Sequence, residues 1–210
     1  MRPRLFVVTG PSGAGKGTLI RKLVHERTDL AVAVSATTRA RRPGEEDSRD
    51  YHFLSEEEFL RRVEAGDFVE HVEYVSGHRY GTLREEVDRI LASGRSAVLE
   101  LETEGAKEVQ RTSPDAVTIF VQAPSFGELE RRLRERATES AGEIGERLEL
   151  ARRQAQEAGD FDHVVTNDDL TRAVGELGTI VDKELRAPEA MGPRRRGAMV
   201  VPRQGRRERP

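Results

Sequence analysis

Short apolar runs alternate with segments of helical periodicity along most of the chain. Residues Leu5–Thr9 form an apolar run of strand length, and Leu19, Ile20 and Leu23 then recur on one helical face. The same alternation predicts further strands at 31–35, 97–101, 117–121 and His163–Thr166, and helices through 87–91 ending at Gly94, at about 125–136, at about 145–158 and from Asp168. Strands that alternate with helices favour an α/β fold, in which helices cover both faces of a parallel sheet.

One segment interrupts this alternation. Between about 35 and 82 the chain has turn residues and short mixed stretches, in which we predict a small helix at Glu56–Glu64 and a strand at 68–75. At 210 residues with 36% apolar residues, the chain is long enough for one sizeable core. We therefore expect one unit at 1–186, with its core at 1–34 and 83–186 and an inserted lobe at about 35–82.

Composition excludes several classes of protein. The chain has no cysteine, which excludes disulfide scaffolds, thiolate zinc sites and cysteine nucleophiles. Its five histidines, at 25, 52, 71, 78 and 163, show no metal-ligand spacing. Every apolar run is too short for a signal peptide or a membrane span, so we expect a cytoplasmic protein without a membrane partner.

Charge is distributed unevenly along the chain. The formal net charge is only -3, which argues against a specific nucleic-acid partner. Residues 187–210, however, carry seven arginines against two glutamates, a net charge of +5, while 28 basic and 36 acidic residues leave -8 for 1–186. This last segment also holds four of the nine prolines and has no apolar period. We expect a disordered basic tail that makes at most weak, sequence-unspecific contacts with nucleic acid.

The stretch GPSGAGKGT, residues 10–18, joins the first predicted strand to the first predicted helix. Its G-x-x-x-x-G-K spacing matches the phosphate-binding loop, whose glycines let backbone N–H groups surround a phosphate at a helix N-terminus. A glycine-rich turn that merely caps a helix is the alternative, and the strand–loop–helix context disfavours it. We expect a triphosphate to contact Gly10, Pro11, Ser12, Gly13, Ala14, Gly15, Lys16, Gly17 and Thr18. Gly17 stands where the motif has Ser or Thr, so Thr18 is the candidate for holding Mg²⁺.

A second candidate phosphate site follows in SATTRARRPGEEDSRDYHF, residues 35–53. This stretch begins at the carboxyl end of the second predicted strand, on the same rim of the sheet as the phosphate loop. Arg39 and Arg42 beside the hydroxyl of Tyr51 suit a phosphate dianion, because guanidinium groups grip such oxygens at two points. A charged solvated loop is the alternative. With the phosphate loop upstream, we favour a second substrate that carries a phosphate.

Several motifs together resemble those of guanylate kinases. They are GPSGAGKGT, SATTRARRPGE, FVEHVEY, YGT, RLRERATES and VTNDDL, and the similarity runs from the phosphate loop to about residue 186. The resemblance implies a P-loop NTPase fold with a GMP-binding lobe and a helical lid at about 136–147. It also implies that the chain transfers the γ-phosphate of ATP to GMP or dGMP, with Mg²⁺ as cofactor.

The resemblance also assigns roles to individual residues. The GMP phosphate would be held by Arg39, Arg42, Tyr51 and Tyr80, and the guanine would face Ser35, Glu70 and Thr82, with Glu45 nearby. Arg132, Arg136 and Arg147 would reach the triphosphate when the lid closes, and Asn167 would lie near the adenine. Arg132, Arg136 and Arg147 would join Lys16 and Arg39 as the catalytic set. Taken as helix surface, the lid arginines would instead pair with nearby glutamates.

The chemistry of guanine supports the assignment of Glu70. One ionised carboxylate accepts from both N1–H and the N2 amino group, whereas adenine would leave it facing a lone pair. Because a GMP phosphate oxygen is already ionised at neutral pH, the transfer needs positioning and charge neutralisation rather than a general base.

Three positions depart from the family pattern. Ser48 and Ala137 replace glycines, and the motif LELETEG puts Glu100 and Glu102 at the GMP site, where the family commonly has an aspartate at the second position. Two other functions compete with the guanylate kinase assignment: another nucleoside monophosphate kinase, and a guanylate-kinase-like interaction module. The carboxylate and the Thr37-Thr38-Arg39 spacing disfavour the first, and the presence of Lys16 and the arginines disfavours the second.

Overall fold

A computed structural model describes residues 2–74, 77–136 and 141–187. The expected disorder of the tail and the Ala137 departure lie outside these residues, as do the side chains of Arg136 and Arg147 and the middle of the expected lid. Among the described helices, none is long and apolar enough to cross a membrane.

The described chain forms nine strands and seven α-helices. The strands are β1 Leu5–Thr9, β2 Leu30–Val32, β3 Ala36–Thr37, β4 His52–Phe53, β5 Phe68–Glu73, β6 Arg79–Leu83, β7 Ser96–Glu100, β8 Val117–Gln122 and β9 His163–Thr166. The helices are α1 Lys16–His25, α2 Glu56–Glu64, α3 Arg84–Ala92, α4 Thr103–Thr112, α5 Phe126–Arg136, α6 Ala141–Gln156 and α7 Leu170–Arg186.

Five of the strands form a parallel sheet in the order β2-β7-β1-β8-β9. Alternate residues of β1 enter different apolar clusters: Phe6 and Val8 pack with α1 and α7, and Val7 packs with α3 and α4. Both faces of the sheet are therefore covered by helices, and near-continuous apolar runs form its strands for that reason. The predicted α/β fold with a parallel sheet is confirmed.

The second strand is shorter than the predicted 31–35. After β2 the backbone N–H of Ala33 still donates to Val98 O, at 3.0 Å, but that of Val34 donates to the Glu86 side chain. The chain then enters a second sheet at Ala36. Pairing with β7 therefore ends at Ala33, although the apolar run continues to Val34.

Helix α4 was not predicted. Only Ala106 and Val109 are aliphatic in its sequence TEGAKEVQRT, so the segment has too few apolar positions to show a helical period. Both residues are buried in the cluster below β7. The remaining helices match the prediction except at their ends, and α6 begins at Ala141 rather than near 145.

A second, smaller sheet of order β4-β3-β6-β5 occupies the segment for which we predict an insert. Strand β3 pairs in parallel with β4 and antiparallel with β6. Helix α2 packs on this sheet through Phe59, which stacks on Phe68 with ring centroids 4.5 Å apart. This separate apolar cluster fixes the position of β5 and β6, which carry several of the predicted site residues.

Candidate active site

The loop between β1 and α1 has a conformation that glycine permits. Gly10, Gly13 and Gly15 have φ angles of 136°, 87° and 92°. At Gly10 a Cβ atom would lie 2.0 Å from the backbone oxygen of Val121, so no side chain fits there. Helix α1 starts at Lys16, directly after this loop, so its N-terminus adjoins the loop.

Lys16 lies inside the loop and is 7% exposed. Its ammonium donates to the backbone oxygens of Gly10, at 2.6 Å, and Pro11, at 3.3 Å, and it lies 4.0 Å from a carboxylate oxygen of Glu102. A cavity of about 290 Å³ borders these groups. Its lining comprises Pro11, Ser12, Gly13, Gly15, Lys16, Gly17, Thr18, Arg21, Glu100 and Glu102.

The Glu100 carboxylate faces Gly17. A Cβ atom on Gly17 would lie 3.0 Å from Glu100 Oε2, so glycine at this position leaves room for the glutamate. Burial raises the pKa of Glu100, while the charges of Lys16 and Arg21 oppose that shift. The hydroxyl of Thr18 lies near the same place and accepts from Arg21 at 3.4 Å.

Arg39 is held by Glu45 in the loop between β3 and β4. Its guanidinium donates to both carboxylate oxygens of Glu45, at 2.9 Å each, and lies 5.3 Å from the centroid of the Tyr51 ring. The ion pair raises the pKa of Arg39 and lowers that of Glu45 to about 2. The rings of Tyr51 and Tyr80 meet edge-on with centroids 6.0 Å apart. The structure thus brings together Arg39, Glu45, Tyr51 and Tyr80.

Arg42 joins this group through its backbone. Its N–H donates to Glu45 Oε2 at 2.8 Å, and the residue is exposed. Nearby, Ser48 has a φ of 61°, the left-handed conformation that favours glycine. The serine tolerates that conformation while its side chain donates to Asp47 and its backbone N–H donates to Tyr51 O.

Glu70 is a buried carboxylate that accepts hydrogen bonds from Thr82. It lies on β5 opposite Thr82 of β6, whose hydroxyl donates to Glu70 Oε1 at 2.9 Å. Glu70 is 4% exposed, and burial raises its pKa to about 7. Thr82 is likewise buried, at 1% exposure, so this pair is shielded from bulk water.

A single cavity of about 480 Å³ contacts both Lys16 and Glu70. Its lining also includes Ser35, Tyr51, Tyr80, Glu100, Glu102 and Gly105. The carboxyl end of the parallel sheet and the second sheet therefore form one cleft, and seven of the residues predicted from the sequence line this cavity.

Asn167 contacts the phosphate loop, and Arg132 contacts Asn167. The Asn167 amide donates to Ala14 O at 2.8 Å, and Arg132 donates to Asn167 O at 3.0 Å. Arg132 also donates to Glu128 at 2.7 Å, the helix-surface pairing that was the alternative for these arginines. The contact with Asn167 nevertheless places Arg132 beside the loop.

Residues that were not predicted also contact this site, among them Gln154 and Gly105. Gln154 of α6 is 6% exposed and donates to Glu102 Oε2 at 3.2 Å, which links that helix to the end of β7. No sequence motif marks it. Gly105 lies against Glu70, and its place in LELETEG gives only a weak signal.

A parallel sheet with a phosphate loop, joined to a second lobe that shares its cleft, defines the phosphate-loop nucleoside monophosphate kinases. The guanylate kinase family model matches residues 2–184 of the chain. The chain is 52% identical to the guanylate kinase of Rubrobacter xylanophilus over 176 residues, covering 84% of this chain and 92% of that protein. The chain belongs to the guanylate kinase family, as its motifs predict.

Two further relatives agree. A guanylate kinase of Thermus thermophilus is 47% identical over 192 residues, covering 91% of this chain and 86% of that protein. The crystal structure of guanylate kinase from Anaplasma phagocytophilum superposes with a TM-score of 0.72 at 28% identity, covering 89% of this chain and 88% of that one. This match confirms the predicted P-loop NTPase fold.

Proposed function

We infer that the chain transfers the γ-phosphate of ATP to GMP, giving ADP and GDP, and that dGMP is accepted as well. One observation carries the inference: a single cavity is lined by both Lys16 of the phosphate loop and the buried carboxylate of Glu70. If two nucleotides bind in this cleft, their phosphates would meet between Lys16 and Glu70.

The surroundings of Glu70 support its proposed role as the guanine reader. Thr82 donates to Glu70 through its hydroxyl, at Oε1, and through its backbone N–H, and an ionised carboxylate has about four acceptor positions, so acceptor capacity is left for N1–H and the N2 amino group of guanine. Ser35 and Thr82 supply hydroxyls in the same region. Adenine would put a lone pair against a buried carboxylate, which disfavours AMP.

The cluster around Arg39 supports a site for the GMP phosphate. Glu45 and the ring of Tyr51 orient the guanidinium before any ligand arrives. Arg42, Tyr51 and Tyr80 would complete this site as hydrogen-bond donors to the dianion. A pre-oriented cluster of this kind lowers the entropic cost of binding.

ATP would bind the phosphate loop, with Lys16 at its terminal phosphates and Asn167 near the adenine. A GMP phosphate oxygen attacks the γ-phosphorus in line, the new P–O bond forms, and the bond to the β–γ bridging oxygen breaks to release ADP. Arg132, together with Arg136 and Arg147 of the proposed lid at about 136–147, would neutralise charge that develops during transfer. No residue is assigned as a general base.

Mg²⁺ is the divalent ion we propose. Among the described residues, no group of three or more histidine, aspartate or glutamate side chains is arranged to hold a metal ion. The Thr18 hydroxyl and the Glu100 carboxylate are oxygen donors beside the phosphate loop, which suits Mg²⁺ held mainly by phosphate oxygens and water. When bound, the ion supplies charge neutralisation to the β- and γ-phosphates.

The division of the chain belongs to the same proposal. The core would be 1–34 and 83–186, the GMP-binding lobe about 35–82, and residues 187–210 a basic tail outside the catalytic unit. The cytoplasmic location and the absence of a specific nucleic-acid partner stay predictions.

A coupled ADP-release assay with GMP, dGMP, AMP, dTMP and CMP tests this function. We expect turnover with GMP and dGMP and background rates with the other three. Preference for another monophosphate would indicate a different kinase. If none of the five supported ADP release, the chain would be better described as an interaction module.

A further inference from the structure

We propose that Gly105 determines guanine selectivity as a positioning residue, because the absence of a side chain there lets the Glu70 carboxylate occupy the cleft in its base-reading orientation. The proposal rests on the proposed function, in which Glu70 reads guanine. It assigns to helix α4, which no motif predicted, a direct role in substrate choice.

The geometry is close. A Cβ atom on Gly105 would lie 2.9 Å from Glu70 Oε2, 3.5 Å from its Cδ and 3.8 Å from its Cγ. Cβ atoms in proteins are essentially never found within 3.0 Å of a neighbour, so an alanine would require the Glu70 carboxylate, the end of a flexible side chain, to shift, and the cost depends on how firmly that carboxylate is held. Both residues are buried and line the same cavity.

Backbone conformation does not explain the glycine. Gly105 is in the first turn of α4 and is absent from the residues with positive φ, so any L-residue fits its backbone. A glycine inside a helix costs about 1 kcal/mol relative to alanine. The site therefore depends on the absence of a side chain at position 105.

Glu70 has little freedom to yield. Its Oε1 is held by Thr82 at 2.9 Å, and its backbone is paired with Thr82 across β5 and β6. The oxygen that Gly105 faces is the other one, Oε2. Pushing Oε2 aside would rotate the carboxylate about the Thr82 contact and turn it out of the plane that two adjacent guanine donors require.

Movement of the Glu70 carboxylate away from Gly105 is also unfavourable. Glu70 and Gly105 border a second cavity of about 470 Å³, whose lining includes Glu104 and Glu108. Movement of the Glu70 carboxylate toward that cavity would bring like charges closer together. A methyl group at 105 is therefore expected to weaken the binding of guanine.

The test is Gly105→Ala, with Gly175→Ala as matched control. Gly175 also lies within a helix, α7, but a Cβ atom there would meet nothing within 4 Å. We expect Gly105→Ala to raise the KM for GMP roughly tenfold to a hundredfold, in line with the cost of a misplaced binding group. The KM for ATP should stay unchanged, and the control should keep wild-type kinetics.

Repeating the substitution in a Glu70→Ala variant separates a local clash with the carboxylate from a general defect of the protein. In Glu70→Ala there is no carboxylate to displace, so adding Gly105→Ala should change neither the binding of GMP nor that of AMP. The melting temperature should fall for Gly105→Ala alone and rise when it is added to Glu70→Ala, since alanine favours the helix. This thermal comparison holds even if the single variant folds poorly.

The possible failures are distinguishable. Wild-type GMP kinetics in Gly105→Ala, or an equal loss of GMP affinity in both backgrounds, would overturn the role of Gly105 alone. If Glu70→Ala kept full preference for GMP over AMP, the base-reading role of Glu70 would fail, and this inference with it.

Discussion

Glu45 binds Arg39 with both oxygens of its carboxylate, at 2.9 Å each, and its Oε2 also accepts the backbone N–H of Arg42 at 2.8 Å. One side chain therefore organises both arginines of the proposed phosphate site. The guanidinium is kept in place over Tyr51 rather than left to rotate in solvent. The sequence places Glu45 near the site, but only the fold shows that it is the partner of Arg39.

Replacing Glu45 with Gln should weaken GMP binding without abolishing turnover. The amide keeps one acceptor oxygen, so Arg39 loses one hydrogen bond and part of its orientation, a change worth about 1 kcal/mol or roughly fivefold in KM for GMP. Steady-state kinetics measure this, with Glu46→Gln as control because the Glu46 carboxylate pairs with the exposed Arg49 and not, among the described contacts, with Arg39 or Arg42. A lower KM for GMP in Glu45→Gln would mean that the ion pair competes with the substrate instead.

Replacing Glu70 with Gln should reduce selectivity more than stability at neutral pH. The amide turns an NH₂ donor toward the guanine donors. We expect this to weaken transition-state binding of GMP by about 2–4 kcal/mol and to lower its kcat/KM by the corresponding factor. The GMP-to-AMP ratio of kcat/KM measures the effect. Glu73→Gln is the control, because Glu73 is on the same strand but pairs with Arg79 at the surface. Unchanged GMP kinetics would remove Glu70 from the base site.

The raised pKa of Glu70 predicts a pH dependence of stability. Burial raises the pKa to about 7 from an ordinary value of 4.5, so the unfolded chain releases this proton at lower pH than the folded chain does. Between about pH 4.5 and 7 the folded state binds more protons, and this group's contribution to the free energy of unfolding falls as pH rises, by up to about 3 kcal/mol.

Thermal or urea unfolding of wild type and Glu70→Gln across pH 4.5–8 measures this contribution. We expect the variant to gain stability relative to wild type as pH rises to about 7, and the difference to stay constant above it. Parallel pH profiles for the two proteins would show that Glu70 titrates normally in the folded chain.

Lys16→Ala should give a folded protein with almost no transfer activity. The ammonium hydrogen-bonds to Gly10 O and Pro11 O inside the loop, where its charge is available to the terminal phosphates of ATP. Loss of such a charge in the transition state costs about 3–4 kcal/mol or more, a drop in kcat of at least about 150-fold. ADP release is the readout. Lys22→Ala, on the same helix but outside the cleft, should keep activity. Near-normal turnover in Lys16→Ala would rule out the phosphate-loop mechanism.

Local sequence was sufficient for the features that depend on neighbouring residues. The phosphate loop is one contiguous strand–loop–helix, so its glycine spacing and flanking apolar residues predict it directly. The alternation of strand-length apolar runs with helical segments predicts the parallel sheet. The motifs shared with the family indicate the candidate site residues. The left-handed conformation of Ser48 agrees with the glycine that the family pattern has at this position.

Tertiary structure alone decided the contacts between segments that are distant in the chain. Strands β3 and β4 have two residues each and exist only through pairing with other strands, and α4 is held by burial of Ala106 and Val109 rather than by a visible period. Gln154 meets Glu102 across 52 positions, and Gly105 meets Glu70 across 35. Periodicity and spacing describe a residue's own element. Periodicity and spacing do not show which distant element buries a given residue. For Glu70, that burial sets the pKa and the orientation of the carboxylate.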